Sequence, residues 1–310
     1  MIDSTISRPV SGHIPDAASH DFKGNPLLSQ NGLKPAVVVT GASSGIGRAI
    51  AGVIARERAA VVLIGRTAEG LSGAAAEVRE AGGETYILQL DLLAGESAQQ
   101  VKDFLVQHGL VCDVLVNSAG HSMQGLAATL PLDDQLGVID LNVRVLTEMT
   151  LAFVPGMVAR RRGGVINLSS VAGFVPGPHM AVYYASKGFV RSFSAALYQE
   201  LRRTGVTVTC VAPGPVETGF LRVKSVKRAR LFTFLPMLSP EDVAESAWRG
   251  FKKGRRQVVP GLSSKMAVLA TALTPSVLLL PVIAKLQRRI KDLCPCGSGR
   301  KFRKCCGKKT

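Results

Sequence analysis

The stretch "VVVTGASSGIGRAI", residues 37–50, decides the fold of this 310-residue chain. Val37, Val38 and Val39 are β-branched and uninterrupted by polar residues, as a strand buried on both faces requires. Thr40 and Gly41 then break the run, and Gly45, Ile46 and Gly47 open a segment with helical periodicity. Glycines at a strand-to-helix turn allow the chain to reverse sharply. They also let the backbone approach a pyrophosphate, which the N–H groups of the new helix can bind. A glycine-rich turn alone is a weak signal, but here a strand precedes it and a helix follows it.

The same alternation continues outward. Strand candidates lie at 36–40, 60–65, 86–90, 113–117, 165–170, 206–212 and 257–261. Amphipathic segments such as "GIGRAIAGVIARE" (45–57) and "SAQQVKDFLVQH" (97–108) separate them. Strands alternating with helices predict an α/β fold: a doubly wound parallel sheet of about seven strands, with its ligand at the strands' carboxyl ends.

The end of the second strand distinguishes between dinucleotides. An acid there would hold a ribose 2′-hydroxyl, and an arginine would accept a 2′-phosphate. The chain reads "LIGRT" (63–67), with Arg66 and no acid. A charge-assisted contact from Arg66 favours NADP(H) over NAD, the competing reading being a solvated loop charge.

Five motifs follow in order: "TGASSGIG" (40–47), "NSAG" (117–120), "LSS" (168–170), "YYASK" (183–187) and "PGPVET" (213–218). In this combination the chain resembles the short-chain dehydrogenase/reductase family over roughly residues 34–261. The resemblance implies a Rossmann-type sheet, a nicotinamide cofactor, hydride transfer between a carbonyl and an alcohol, and a homo-oligomer. Carried over by motif, Gly41, Ser43, Ser44, Gly45, Ile46 and Gly47 form the cofactor loop, with Ile46 along the nicotinamide. Asp91 would face the adenine, and Asn117, Ala119 and Gly120 the adenosine side. Pro213, Gly214, Val216 and Thr218 would line the nicotinamide end. Two departures stand out: the usual Asn-Asn-Ala-Gly is "NSAG" here, and Ser44 occupies a loop position where NADP users often carry a second basic residue.

The chemistry needs a proton donor at the carbonyl oxygen. A free tyrosine has a pKa of about 10, which a nearby ammonium group lowers toward working pH. Tyr183 and Tyr184 stand four and three residues before Lys187, and on a helix both spacings bring the phenol near the amine. Spacing therefore leaves both open. The family pattern pairs its catalytic serine with the tyrosine about a dozen residues on, which selects Ser170 with Tyr183 and leaves Tyr184 to packing or a subunit contact. Alternation turns Ser169 to the other face of its strand. Asn142, in "IDLNVRV" (139–145), matches the family's helical asparagine, which holds a water connecting Lys187 to solvent. Lys187 would also bind the nicotinamide ribose. An intact set of Ser170, Tyr183, Lys187 and Asn142 favours an enzyme over a regulatory protein that senses the cofactor.

The substrate side is less explicit. "VPGPHMAV" (175–182) should rim the pocket, with His179 as a substrate contact or a loop histidine without a role. "GFLRVKSVKRARLFTFLPML" (219–238) mixes apolar residues with Lys224, Lys227, Arg228 and Arg230. It reads as a cover over the cleft suited to a hydrophobic, acyl- or lipid-like substrate with an acidic handle, or as an amphipathic lid with a solvated basic face.

Residues 266–284 contain no charged side chain and lie between Lys265 and Lys285. At 19 residues, broken by Pro275 and Pro281, the segment admits a membrane span, an interfacial anchor, or packing over the cleft or a partner subunit. Domain boundaries follow: an N-terminal arm at 1–33, the catalytic domain at 34–261, an apolar and basic helical extension at 262–291, and a cysteine module at 292–310.

That module reads "CPCGSGRKFRKCCGKK" (294–309). Four thiols at Cys294, Cys296, Cys305 and Cys306 suit tetrahedral zinc, against an unligated or redox-active tail. The spacing resembles the SEC-C module of the bacterial translocase motor ATPase, which implies a small zinc knuckle for protein or ribosome contacts. The net charge is +16, and ten of the 38 basic residues lie between Lys285 and Thr310. Such a tail attracts an acidic partner, nucleic acid or anionic lipid, or serves as a solvated tail. Cys112 and Cys210 sit in apolar runs and read as core. The first 30 or so residues are polar and lack an apolar run of signal-peptide type, so the cytoplasm is the expected compartment.

Overall fold

The computed structural model describes residues 32–218, 237–287 and Cys305. Seven parallel strands form one sheet in the order β3-β2-β1-β4-β5-β6-β7. They are β1 (Lys34–Thr40), β2 (Ala60–Gly65), β3 (Glu84–Gln89), β4 (Leu110–Asn117), β5 (Gly163–Leu168), β6 (Val206–Val211) and β7 (Gln257–Val258). All seven expected strands are present, and the fold is the Rossmann-type one the sequence implies. Two strands differ from the expectation of full burial and length. β3, at the sheet edge, alternates between partly buried and exposed residues. β7 is two residues long, and Pro260 just beyond it has no N–H to extend the ladder.

Strand alternation divides the interior into two cores. Val37 and Val39 face helices α1 (Gly45–Ala55), α2 (Ala68–Glu80) and α7 (Pro240–Lys252) through Ile50, Leu71, Trp248 and Phe251. Ala36 and Val38 face α3 (Ser97–Gln107), α5 (Leu146–Ala159) and α6 (Ala181–Glu200) through Val101, Met149 and Leu197. Cys112 and Cys210 are buried as expected. α4 (Leu132–Ile139) runs into α5 through a π-helical turn at Asp140–Val145, which the sequence reading did not anticipate.

The apolar stretch at 266–284 is two helices: α8 (Leu262–Leu273) and α9 (Ser276–Gln287), broken at Thr274 and Pro275. Among the described residues no helix is long and apolar enough to cross a membrane. Instead α8 sits on the 3-10 turn Val171–Phe174 and on the loop after β6, where a Cβ on Gly214 would lie 2.3 Å from Ser264 Oγ.

Candidate active site

Successive strands are added on one side of β1 and then, from β4, on the other. This reversal opens a crevice at the carboxyl end of the sheet. A cavity of about 520 Å³ occupies it. Its floor is the loop between β1 and α1. Gly41 has φ +67°, and a Cβ there would lie 2.9 Å from the Ala119 backbone, so no side chain fits. Gly47 packs the start of α1 onto the strand: its Cβ would come within 2.5 Å of the Gly41 carbonyl oxygen. The hydroxyl of the N-cap residue Ser44 makes no capping bond, so the first N–H groups of α1 face the cavity without a side-chain acceptor. A negatively charged phosphate fits such an end.

Ser43, Ser44, Gly45, Ile46, Arg66, Asp91, Ala119, Gly120, Pro213, Gly214, Val216 and Thr218 all line this cavity, as expected. Arg66 is exposed at the end of β2, and its carbonyl accepts from Gln89 Nε2 at 3.0 Å, fixing the backbone beneath the guanidinium. The Asp91 carboxylate accepts the Leu93 N–H at 3.0 Å.

Gly47 and Asn117 are corrections to that list, since neither lines the cavity. Gly47 is buried beneath the loop. Asn117 is 3% exposed and its amide donates to Thr150 Oγ1 at 3.0 Å and to Asn167 Oδ1 at 2.9 Å. The amide's donors are thus used between β4, β5 and α5.

The opposite wall comes from β5, α6 and the loop between them. Ser170 follows β5, and its Oγ accepts the Ala172 N–H at 3.2 Å. The same hydroxyl hydrogen-bonds Tyr183, which favours the ionised phenol. Burial outweighs that bond and pushes the Tyr183 pKa up to about 12. This corrects the expectation of a phenol lowered by Lys187. The amine lies 5.9 Å from the centre of the Tyr183 ring and donates to the Leu168 carbonyl at 2.8 Å. Lys187 is itself buried, and loss of water lowers its pKa to about 8. Ser169 faces away, as alternation required, and donates to the Lys187 carbonyl at 2.8 Å.

Asn142 lies in the π-helical turn and is 1% exposed. Its Oδ1 accepts the His121 N–H and its Nδ2 donates to the His121 carbonyl, both at 3.0 Å; Nδ2 also reaches Ser186 Oγ at 3.0 Å. These bonds span distant segments rather than one helical turn. They fasten the end of the β4 loop to α6, one residue from Lys187.

Three lining residues escaped the sequence reading. His121 directly follows "NSAG"; burial and then the Arg66 charge lower its pKa. Met180 precedes α6. Gln287 ends α9, and nothing in an apolar helix followed by a basic tail marks it as a cavity residue. His179, the expected rim candidate, does not line the cavity; its carbonyl accepts the Gly125 N–H at 2.8 Å. Residues 219–236, with the basic cluster of the expected cover, lie outside the described residues. So do Cys294, Cys296 and Cys306.

Comparison with known proteins agrees with this geometry. The sequence profile described as short chain dehydrogenase matches residues 35–229, and the SEC-C motif matches residues 291–308. The NADP-dependent 3-hydroxy acid dehydrogenase YdfG of Escherichia coli O157:H7 is 36% identical over 220 residues, 68% of this chain and 87% of that protein. A short-chain dehydrogenase from Sphingobium yanoikuyae, solved with NADPH, superposes with a TM-score of 0.68 at 29% identity, covering 77% of this chain and 93% of that one. One from Mycobacterium paratuberculosis, solved with NAD, superposes with a TM-score of 0.64 at 25% identity, covering 74% and 98%.

Proposed function

This chain belongs to the short-chain dehydrogenase family and is an oxidoreductase, and from that premise we propose that it uses NADP(H) to interconvert a hydrophobic carbonyl compound and its secondary alcohol. The observation that carries the proposal is a single cavity shared by two walls. The uncapped helix start and Arg66 form one, and the bonded pair Ser170 and Tyr183, backed by Lys187, forms the other. When bound, the nicotinamide supplies or accepts the hydride at the substrate carbon.

The residues of the chain provide the rest. Ser170 holds the carbonyl oxygen by donating its hydroxyl proton in a hydrogen bond. Tyr183 is the acid. With its pKa near 12 it is protonated at neutral pH, the form needed to protonate the oxygen as hydride arrives. Lys187 is the neighbouring proton reservoir, and Asn142 positions the loop and helix on either side of it. Arg66 favours a 2′-phosphate, and no acid at the end of β2 competes for a ribose hydroxyl. Val171, Ala172, Leu141 and Met180 give the substrate side an apolar surface. At the C-terminus, the four thiols Cys294, Cys296, Cys305 and Cys306 have the donor chemistry for one zinc ion, in a knuckle that docks the enzyme to an acidic partner.

The test is a panel of ketones and alcohols monitored through NADPH absorbance. We expect turnover with NADPH over NADH, and a loss of at least about 100-fold in kcat in Tyr183→Phe with NADPH binding retained. Preference for NADH would overturn the cofactor assignment. A fully active Tyr183→Phe enzyme would overturn the mechanism.

A further inference from the structure

The Tyr184 side chain points away from the Ser170–Tyr183 pair, yet it also reaches the cavity. Its hydroxyl accepts a hydrogen bond from Gln287 Nε2. Gln287 is 1% exposed and lies beyond residues 35–229, the part of the chain that matches the family. Its carbonyl accepts Gln124 Nε2 at 2.8 Å, so the end of α9 is held to the cavity wall at both backbone and side chain. The two phenol rings meet edge to face with centroids 6.1 Å apart, which places this second polar pair beside the reacting one.

The pair is chemically incomplete. Gln287 Oε1 is buried and has no hydrogen-bond partner among the described residues. Tyr184 uses its oxygen as an acceptor, which leaves its O–H to donate. Buried polar groups are almost always paired, and one left open on a cavity wall is explained when a ligand completes it. A hydroxyl group satisfies both needs at once, donating to the amide oxygen and accepting from the phenol. Around it the surface is apolar, with Met180 and Ala172.

We propose that Gln287 and Tyr184 are specificity-determining residues, and that the substrate carries a hydroxyl group, a few bonds from the reacting carbon, that hydrogen-bonds to them. This rests on the oxidoreductase reading and narrows its substrate class to hydroxylated hydrophobic ketones and the corresponding diols. The helical extension thereby supplies a wall of the substrate site.

The experiment uses the full chain with NADPH and ketones in matched pairs differing by one hydroxyl: plain and hydroxylated 2-decalones, and plain and hydroxylated 2-alkanones. The readout is the ratio of kcat/KM within each pair. The native chain is expected to prefer the hydroxylated member of at least one pair by about tenfold, the net value of one well-placed hydrogen bond. Gln287→Leu and Tyr184→Phe should each bring that ratio near unity, chiefly through KM. The double variant should go no further, because the two act as a unit. A role limited to anchoring α9 would lower the melting temperature and leave the ratio unchanged, and that result overturns the proposal. So does a native enzyme with no preference in any pair. No turnover of any ketone or alcohol would instead remove the oxidoreductase reading beneath it.

Discussion

Lys187 is a buried amine whose Nζ donates to the Leu168 carbonyl, and burial brings its pKa to about 8 from the ordinary lysine value. Below pH 8 both the folded and unfolded chains hold the proton, and the fold bears the full burial penalty, about 3 kcal/mol. Between about pH 8 and 10 the unfolded chain binds a proton that the folded one has released, so stability rises with pH through that window. Lys187→Met is therefore expected to abolish turnover and yet raise the unfolding midpoint at pH 7. The gap to the native chain should narrow as the pH is taken toward 10. Denaturation curves at the two pH values check this, and a lower midpoint at pH 7 would contradict it. At this scale the sequence showed that a lysine stands a turn from a tyrosine. It did not show which group the lysine affects, because pKa shifts depend on desolvation, and the water that is lost is excluded by β5 and α6 together.

Asn117, Asn167, Thr150 and Ser194 tie elements together. Asn117 donates to Thr150 and Asn167, and Asn167 Nδ2 donates to Ser194 Oγ at 3.0 Å. The chain of bonds runs from α5 through β4 and β5 to α6, all of it buried. Asn117→Leu strands the Asn167 oxygen and should lower the unfolding free energy by about 2 kcal/mol, measured by chemical denaturation. NADPH affinity of the folded fraction should change little, and a large loss of affinity would restore Asn117 to the cofactor site. The motif "NSAG" was legible as a motif, but the direction of its first side chain was not. A strand buried on both faces gives no periodicity to say which face a polar residue takes. The π-helical turn was equally hidden. Asp140–Val145 has ordinary helical residues, and the wider turn that carries Asn142 is settled by its bonds to His121 and Ser186.

The whole molecule joins a Rossmann-type sheet to an extension and a cysteine module with different origins of order. The sheet is held by two apolar cores, whereas a short knuckle with few apolar residues needs a metal. We expect about one zinc ion per chain by elemental analysis of the reduced protein, lost when Cys294 and Cys296 are both replaced by serine; no zinc in the reduced native chain would refute the assignment. The sequence by itself determined the parallel sheet, its seven strands, the glycine loop and the pairing of Ser170 with Tyr183 and Lys187. Each of these is written in local periodicity or in a short motif whose chemistry requires its spacing. Only the tertiary structure decided the rest: that Asn117 turns inward, that Tyr183 is raised rather than lowered, and that α9 brings Gln287 to the substrate wall. Gln287 and Tyr184 are 103 residues apart. Contacts at such separation follow from how helices pack across the sheet, and no local pattern in the chain encodes them.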